Sequence, residues 1–189
     1  DLVRKAKAKG IRVTTEVCPH HFHLTDEEVE KTNFSTNVKM HPPLRTQQDV
    51  YAMIAGLKDG TIDVICTDHA PHAIEEKEVE FNYAPNGIIG LETAWAVTNE
   101  QLLAPGHLDL SSLINKLCDQ PRKILRLQVP EIETGYKANL TIFNTDEQWV
   151  FDDKNVRSKS YNSPYLNKKM TGRAMAIVNK GLLHINTLK

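Results

Sequence analysis

Asp63-Val64-Ile65-Cys66-Thr67-Asp68-His69-Ala70-Pro71-His72 is the stretch that decides the fold. Val64 to Cys66 is a short apolar run, and the chain turns polar immediately after it. Such a run, bounded by polar residues, reads as a buried strand of a parallel sheet. Thr67-Asp68-His69 then marks the C-terminal end of that strand, where α/β barrels and open α/β sheets keep their chemistry. A carboxylate held there by a rigid strand can bind a metal or move a proton. Pro71 ends the strand, because it has no N–H to give to a ladder. His72 is thereby placed in the loop above. An Asp-His pair is also at home as a loop cap or a satisfied polar pair, and composition does not separate the two readings.

Upstream, Ile11-Arg12-Val13-Thr14-Thr15-Glu16-Val17 alternates and is β-branched, which predicts a strand. Before it, Asp1 to Gly10 is rich in Lys and closed by Gly, the pattern of the last turns of a helix. Helix, Gly, strand is the rhythm of a parallel α/β sheet. A domain seldom begins partway through a crossover helix, so the chain is expected to be the C-terminal portion of something longer. The strand runs into Glu16-Val17-Cys18-Pro19-His20-His21-Phe22-His23. Three histidines within four residues raise the question of a metal. Side chains at i, i+1 and i+3 after a proline need not converge, so histidines capping a turn and packing above the sheet are the favoured reading.

Thr25-Asp26-Glu27-Glu28 has the spacing of a capping box, with Thr25 as N-cap. Lys39-Met40-His41-Pro42-Pro43-Leu44-Arg45 is expected to be extended, since residues before proline avoid the helical region. Thr46-Gln47-Gln48-Asp49 opens a helix whose Val50, Met53, Ile54 and Leu57 recur at helical spacing and should face a sheet. Downstream of His72, residues 73–83 read as a charged, mobile connection with a solvated acidic face. Ala84 to Gly90 is a turn in which Gly87 lets the backbone approach a ligand. Residues 91–103 form a helix with Trp95 on its core side. A second helix follows from Asp109, kinked or restarted at Pro121. From Val129 the pattern becomes β. Residues 135–144 read as a turn and a strand, residues 149–151 as another short strand candidate, and residues 174–185 as a hairpin turning at Asn179 to Gly181.

Composition sets outer bounds. The chain has 189 residues, 40% hydrophobic and 25% charged, with a net charge of −1. That is ordinary for a globular protein and supplies no basic field for nucleic acid or anionic membrane. No apolar run approaches the ~20 residues needed to span a bilayer. Cys18, Cys66 and Cys118 lack disulfide-framework or Cys-x-x-Cys spacing, so reduced thiols and a cytoplasmic location are expected.

Thr67-Asp68-His69-Ala70-Pro71-His72 resembles the signature of the dihydroorotases, zinc amidohydrolases of pyrimidine biosynthesis. Glu75-Glu76-Lys77 and Gly87-Ile88-Ile89-Gly90-Leu91-Glu92-Thr93 match the same family in register, and so does Glu16-Val17-Cys18-Pro19-His20-His21. The resemblance covers almost the whole chain. It implies the C-terminal part of a (β/α)8 TIM barrel over residues 1–127, followed by the C-terminal strands of a small β-sandwich over residues 128–189. The reaction it implies is the reversible cyclisation of N-carbamoyl-L-aspartate to dihydroorotate. Zinc is the implied cofactor, with two ions in the complete enzyme. Asp68 matches the catalytic aspartate, which is also a metal ligand. Glu16 matches a glutamate that touches an additional metal in some members. His72 matches a ligand of the substrate carboxylate, and main-chain contacts to substrate fall around Pro85 and Gly87. At His41 the family usually has Asn, which helps to hold the pyrimidine ring. A histidine cannot present an amide's adjacent donor and acceptor, so either the contact is altered or the substrate is held elsewhere. The remaining family ligands do not occur as strand-end motifs, and the chain alone is expected to be inactive. Expected partners are the small-molecule substrate and, left open, a second copy in a homodimer. Rival readings are another cyclic amidohydrolase (allantoinase or dihydropyrimidinase), a non-catalytic dihydroorotase-like scaffold, and a β-rich interaction fragment.

Overall fold

The computed structural model describes residues 1–187. Along the chain come α1 (Leu2–Ala8), β1 (Glu16–Val17), α2 (Glu27–Lys31), α3 (Gln47–Lys58), β2 (Val64–Ile65), α4 (Ile74–Lys77), α5 (Ala94–Thr98), α6 (Leu110–Ile114) and α7 (Gln120–Ile124). Three strands close it: β3 (Leu140–Phe151), β4 (Lys168–Asn179) and β5 (Leu182–Ile185).

β1 and β2 pair in parallel, Glu16 against Val64 and Val17 against Ile65. Parallel neighbours need a crossover, and α3 is the main helix of this one. Thr46 and Asp49 cap it reciprocally: the Thr46 hydroxyl accepts from Asp49 N, and the Asp49 carboxylate accepts from Thr46 N. Val50, Ile54 and Leu57 are buried from it, with Met53 partly so. The apolar period read from the sequence is therefore the face that meets the core.

The strand expected over residues 11–17 is shorter than its propensity suggests. Its ladder begins at Thr15, whose carbonyl accepts from Asp63 N and Val64 N. Residues 11–14 have no strand beside them among the described residues, and β propensity without a partner makes no strand. The capping box at Thr25 is also corrected. α2 begins after Asp26 with no side-chain cap. Thr25 is buried, and Asp26 N donates to Arg45 O, so a tertiary bond sets the helix start where a local cap was expected. Residues 73–83 are not merely a mobile connection. They contain α4, and its last residue, Lys77, is buried.

The helix of α5 continues through a π-helical turn over Asn99–Leu103. The one begun by α6 runs through a second π turn (Asn115–Asp119) into α7, with Pro121 in the first turn of α7. The wider turn accommodates the missing proline N–H, so the helix restarts at Pro121. The two strand candidates near residues 140 and 150 are one strand, β3, interrupted by an irregularity between Asn144 and Gln148. There the Asn144 side chain accepts from Asp146 N and Glu147 N. β3, β4 and β5 form an antiparallel sheet in that order, and β4–β5 is the expected hairpin. α5 docks on this sheet through Trp95, whose ring lies 4.3 Å from that of Phe143. Asn99 helps from the following turn, donating to Thr145 O and Thr171 O. No helix of the described residues is long and apolar enough to cross a membrane.

Leu57 is 1% exposed. Leu57→Ala should cost about 2–5 kcal/mol, against about 1 kcal/mol for Thr46→Ala, read from urea unfolding midpoints. Equal losses would mean that the crossover helix is held by its cap rather than by its packed face.

Candidate active site

The site grows from the ends of β1 and β2. The parallel register brings the residues after each strand side by side: Cys66 N donates to Val17 O, and Cys18 Sγ lies 3.8 Å from Cys66 Sγ. Glu16, Cys18, His21, His41 and Asp68 line one cavity of about 520 Å³. Arg45, Asp49 and Met53 border it from the start of the crossover. Asp68 sits in the left-handed region at φ 48°. Aspartate tolerates this conformation better than most side chains, and such backbone strain concentrates at functional sites. Asp68 and Glu16 are both exposed, and each offers carboxylate oxygens to the cavity. His21 Nε2 donates to Pro42 O at 2.8 Å, tying the turn after β1 to the segment that carries His41.

Burial sets the chemistry of the neighbours. The Cys18 thiol is pushed far up by its hydrogen bond with Cys66, then by burial and by the charges of Asp68 and Glu16. It is a thiol, not a thiolate, unless a cation changes the balance. Burial lowers His20 to about 3 and His23 to about 4. His23 stacks on Tyr165, with ring centroids 5.5 Å apart. The histidines therefore divide. His23 packs away from the group, as expected for a turn-capping residue. His20, His21 and Cys18 each offer a ligand atom, and these atoms lie within 4.8 Å of one another. Convergence after a proline, not expected from the spacing, comes from the 3₁₀ turn over Pro19–Phe22.

His72 is not a wall of that cavity. It lines a neighbouring one of about 780 Å³ together with Phe34, Asn37, Lys77 and Tyr161. Its Nε2 lies 2.9 Å from Asn86 O and its Nδ1 3.5 Å from Glu76 Oε2. The loop holding Pro85 and Gly87 packs directly against the loop after β2. A Cβ at Gly87 would lie 2.5 Å from Ala70 Cβ, and φ there is +115°, so no other residue fits without displacing that loop.

Two residues that sequence reasoning missed fasten these loops. Lys77 Nζ donates to Pro85 O at 3.0 Å and to Gly87 O at 3.2 Å. Burial, helped by the charge of Lys39, lowers its pKa to about 8. Asn162 Nδ2 donates to Ala70 O and Gly87 O, and its Oδ1 accepts from His72 N. Both lone pairs of Gly87 O are thus occupied within the protein, and so is one of Pro85 O. Lys77 lay in an acidic run that read as solvated, and Asn162 lies 90 residues from His72. Lys77 closes the Glu75-Glu76-Lys77 match but carried no role there, and no local signal marks Asn162.

The profile of the Amidohydrolase family matches residues 2–167. The chain belongs to this family. Among curated relatives, the dihydroorotase of Acetivibrio thermocellus is 49% identical over 172 residues, covering 91% of this chain and 40% of that protein. The dihydroorotase of Ruminiclostridium cellulolyticum is 51% identical over 165 residues, covering 87% of this chain and 38% of that one. The chain thus spans about two fifths of the length of these amidohydrolase relatives. Among solved structures, the L-hydantoinase (dihydropyrimidinase) from Arthrobacter aurescens superposes with a TM-score of 0.87 at 25% identity, over 99% of this chain and 43% of that one. The inactive dihydroorotase-like domain of a Chaetomium thermophilum multifunctional protein gives a TM-score of 0.67 at 19% identity, over 96% and 46%. The fold read from the sequence, part of an amidohydrolase TIM barrel followed by a small antiparallel sheet, agrees with these likenesses.

Two measurements test this geometry. Gly87→Ala should destabilise the protein by more than about 1 kcal/mol, because the substitution adds strain where glycine has none; an unchanged urea midpoint would contradict the packing of the two loops. The second concerns acid. His20 and His23 keep pKa values below the ordinary 6.5, so below pH 6.5 the unfolded chain binds more protons than the folded one and stability falls with pH. The loss should run from about pH 6.5 down through the folded values near 4 and 3, and His23→Gln should flatten its upper part.

Proposed function

We propose that this chain carries part of the catalytic site of a zinc-dependent dihydroorotase, which interconverts N-carbamoyl-L-aspartate and dihydroorotate in pyrimidine biosynthesis. The observation that carries the reading is Asp68, presented in a left-handed conformation beyond the end of β2 and facing one cavity with Glu16 and His41. The choice of substrate rests on the relatives. Those named dihydroorotase are 49–51% identical, whereas the hydantoinase likeness is at 25% and supports the fold before the substrate. Residues 1–127 would form the barrel portion and residues 128–189 the sandwich portion.

Zinc is not shown for this chain, but the donor set fits it. Two exposed carboxylates, Asp68 and Glu16, line the cavity with the His41 imidazole, and zinc accepts O and N donors. In this reading Asp68 holds the ion, with Glu16 beside it. When bound, zinc polarises the amide carbonyl and makes water nucleophilic near neutral pH. Asp68 takes the proton from the attacking water and delivers it to the leaving ring nitrogen; one carboxylate does both because the two transfers are sequential. His72 would turn its Nε2–H from Asn86 O to a substrate carboxylate. His41, on the cavity wall, replaces one hydrogen bond of an amide. Pro85 retains one carbonyl lone pair for substrate, and Gly87 keeps that loop close enough to offer it. The compartment we infer is the cytoplasm, from the three free thiols.

The test joins this chain behind the amino-terminal part of the Acetivibrio thermocellus dihydroorotase. The chimera should hydrolyse dihydroorotate, followed by ultraviolet absorbance, while the 189-residue chain alone should not. Asp68→Asn in the chimera should lower kcat by about 10²–10⁴-fold, the range for a lost general acid–base. A folded, zinc-loaded chimera that spares dihydroorotate but opens hydantoins or allantoin would replace the reading with that of another cyclic amidohydrolase. One inert toward all three would favour a scaffold.

A further inference from the structure

We propose that Cys18, His20 and His21 form a binding site for a borderline or soft divalent cation such as Zn²⁺ or Co²⁺, using none of the residues assigned above to zinc. The three residues each offer one ligand atom, and the three atoms lie within 4.8 Å of one another. Donors around one tetrahedral zinc are about 3.3–3.8 Å apart, given Zn–N and Zn–S bonds of about 2.0 and 2.3 Å. Closing onto an ion therefore shortens the widest separation by about 1 Å.

Independent observations point the same way. His20 is 3% exposed, yet its Nε2 makes no hydrogen bond. A buried polar atom left without a partner is costly and rare in folded proteins, and a cation would satisfy it. His21 is pre-oriented. Its Nε2 lies 2.8 Å from the Pro42 carbonyl, which can only accept, so Nε2 carries a proton and Nδ1 is the ring nitrogen left for a ligand. That arrangement, one ring nitrogen donating to a carbonyl and the other free, is the usual dress of a metal-binding histidine. Cys18 supplies the sulfur. It borders the cavity that Asp68 and Glu16 also line. Cys18 and His21 also line the cavity of about 520 Å³, which gives an ion a way in and leaves a fourth position for water.

The inference does not depend on the dihydroorotase reading, and its readout is spectroscopic. Co²⁺ is titrated into the metal-free 189-residue chain under reducing conditions. A near-ultraviolet thiolate-to-cobalt charge-transfer band together with intense visible bands of a tetrahedral ion is expected, and Zn²⁺ should bleach both. Cys18→Ser should abolish the charge-transfer band. His21→Gln, at a half-exposed position, should weaken cobalt binding by more than about tenfold, the scale on which even outer-shell partners act; it keeps the test independent of how Cys18 packs. Asp68→Asn should leave the band in place. No band with cobalt in excess, a band that survives Cys18→Ser, or a band lost in Asp68→Asn would each overturn the proposal.

Discussion

The parallel register of β1 and β2 is the constraint on which the site depends. Two residues on each strand are too few to hold it by ladder bonds alone. The register is reinforced at its base by the Asp63 carboxylate, which accepts from Thr15 N at 2.8 Å and from Lys7 Nζ at 2.7 Å. Thr15 Oγ1 adds a bond to Thr61 O, and buried Lys116 donates to Ile62 O. These bonds join the helix before β1, the chain entering β2 and the late helical segment. A side-chain slip of one residue on either strand would turn its pattern over. The pairing Cys18 with Cys66, and the shared cavity of Glu16 and Asp68, would then be lost together.

Above the strands the chemistry rests on loops, and loops need fastening. Here a buried lysine and a buried asparagine do it. Each main-chain carbonyl they satisfy would otherwise be costly to bury. A lysine amine gives two N–H bonds whether or not it is charged, so Lys77 can hold Pro85 O and Gly87 O on either side of its lowered pKa near 8. Gly87 completes the fastening by having no Cβ. The three contacts set how far the 85–87 loop stands from Ala70 and His72.

Much of this was legible beforehand. The polar switch after Val64-Ile65-Cys66 located the strand end and Asp68. The period of Val50, Ile54 and Leu57 located the crossover helix, and the Thr46–Asp49 spacing located its start. The hairpin at Asn179 to Gly181 followed from turn chemistry. These are local signals, in which a residue's meaning is set by neighbours within four or five positions. Where a tertiary partner decided the outcome, the reading failed. Residues 11–14 had strand composition but no partner strand among the described residues. Thr25 had a cap's spacing but was buried. Lys77 had the company of solvated residues but became a clamp.

By itself, then, the sequence determined the α/β character of the barrel segment, the placement of Asp68 at a strand end and the change to β structure toward the C-terminus, where strands run from Leu140 onward, because periodicity and turn chemistry act over short distances. Only the tertiary structure decided that Cys18, His20 and His21 converge, that His72 faces a different cavity from Asp68, and that Lys77 and Asn162 lock the loops between them. Those outcomes depend on register, on a 3₁₀ turn and on contacts across as many as 92 residues. No pattern within a single segment encodes the distance between segments.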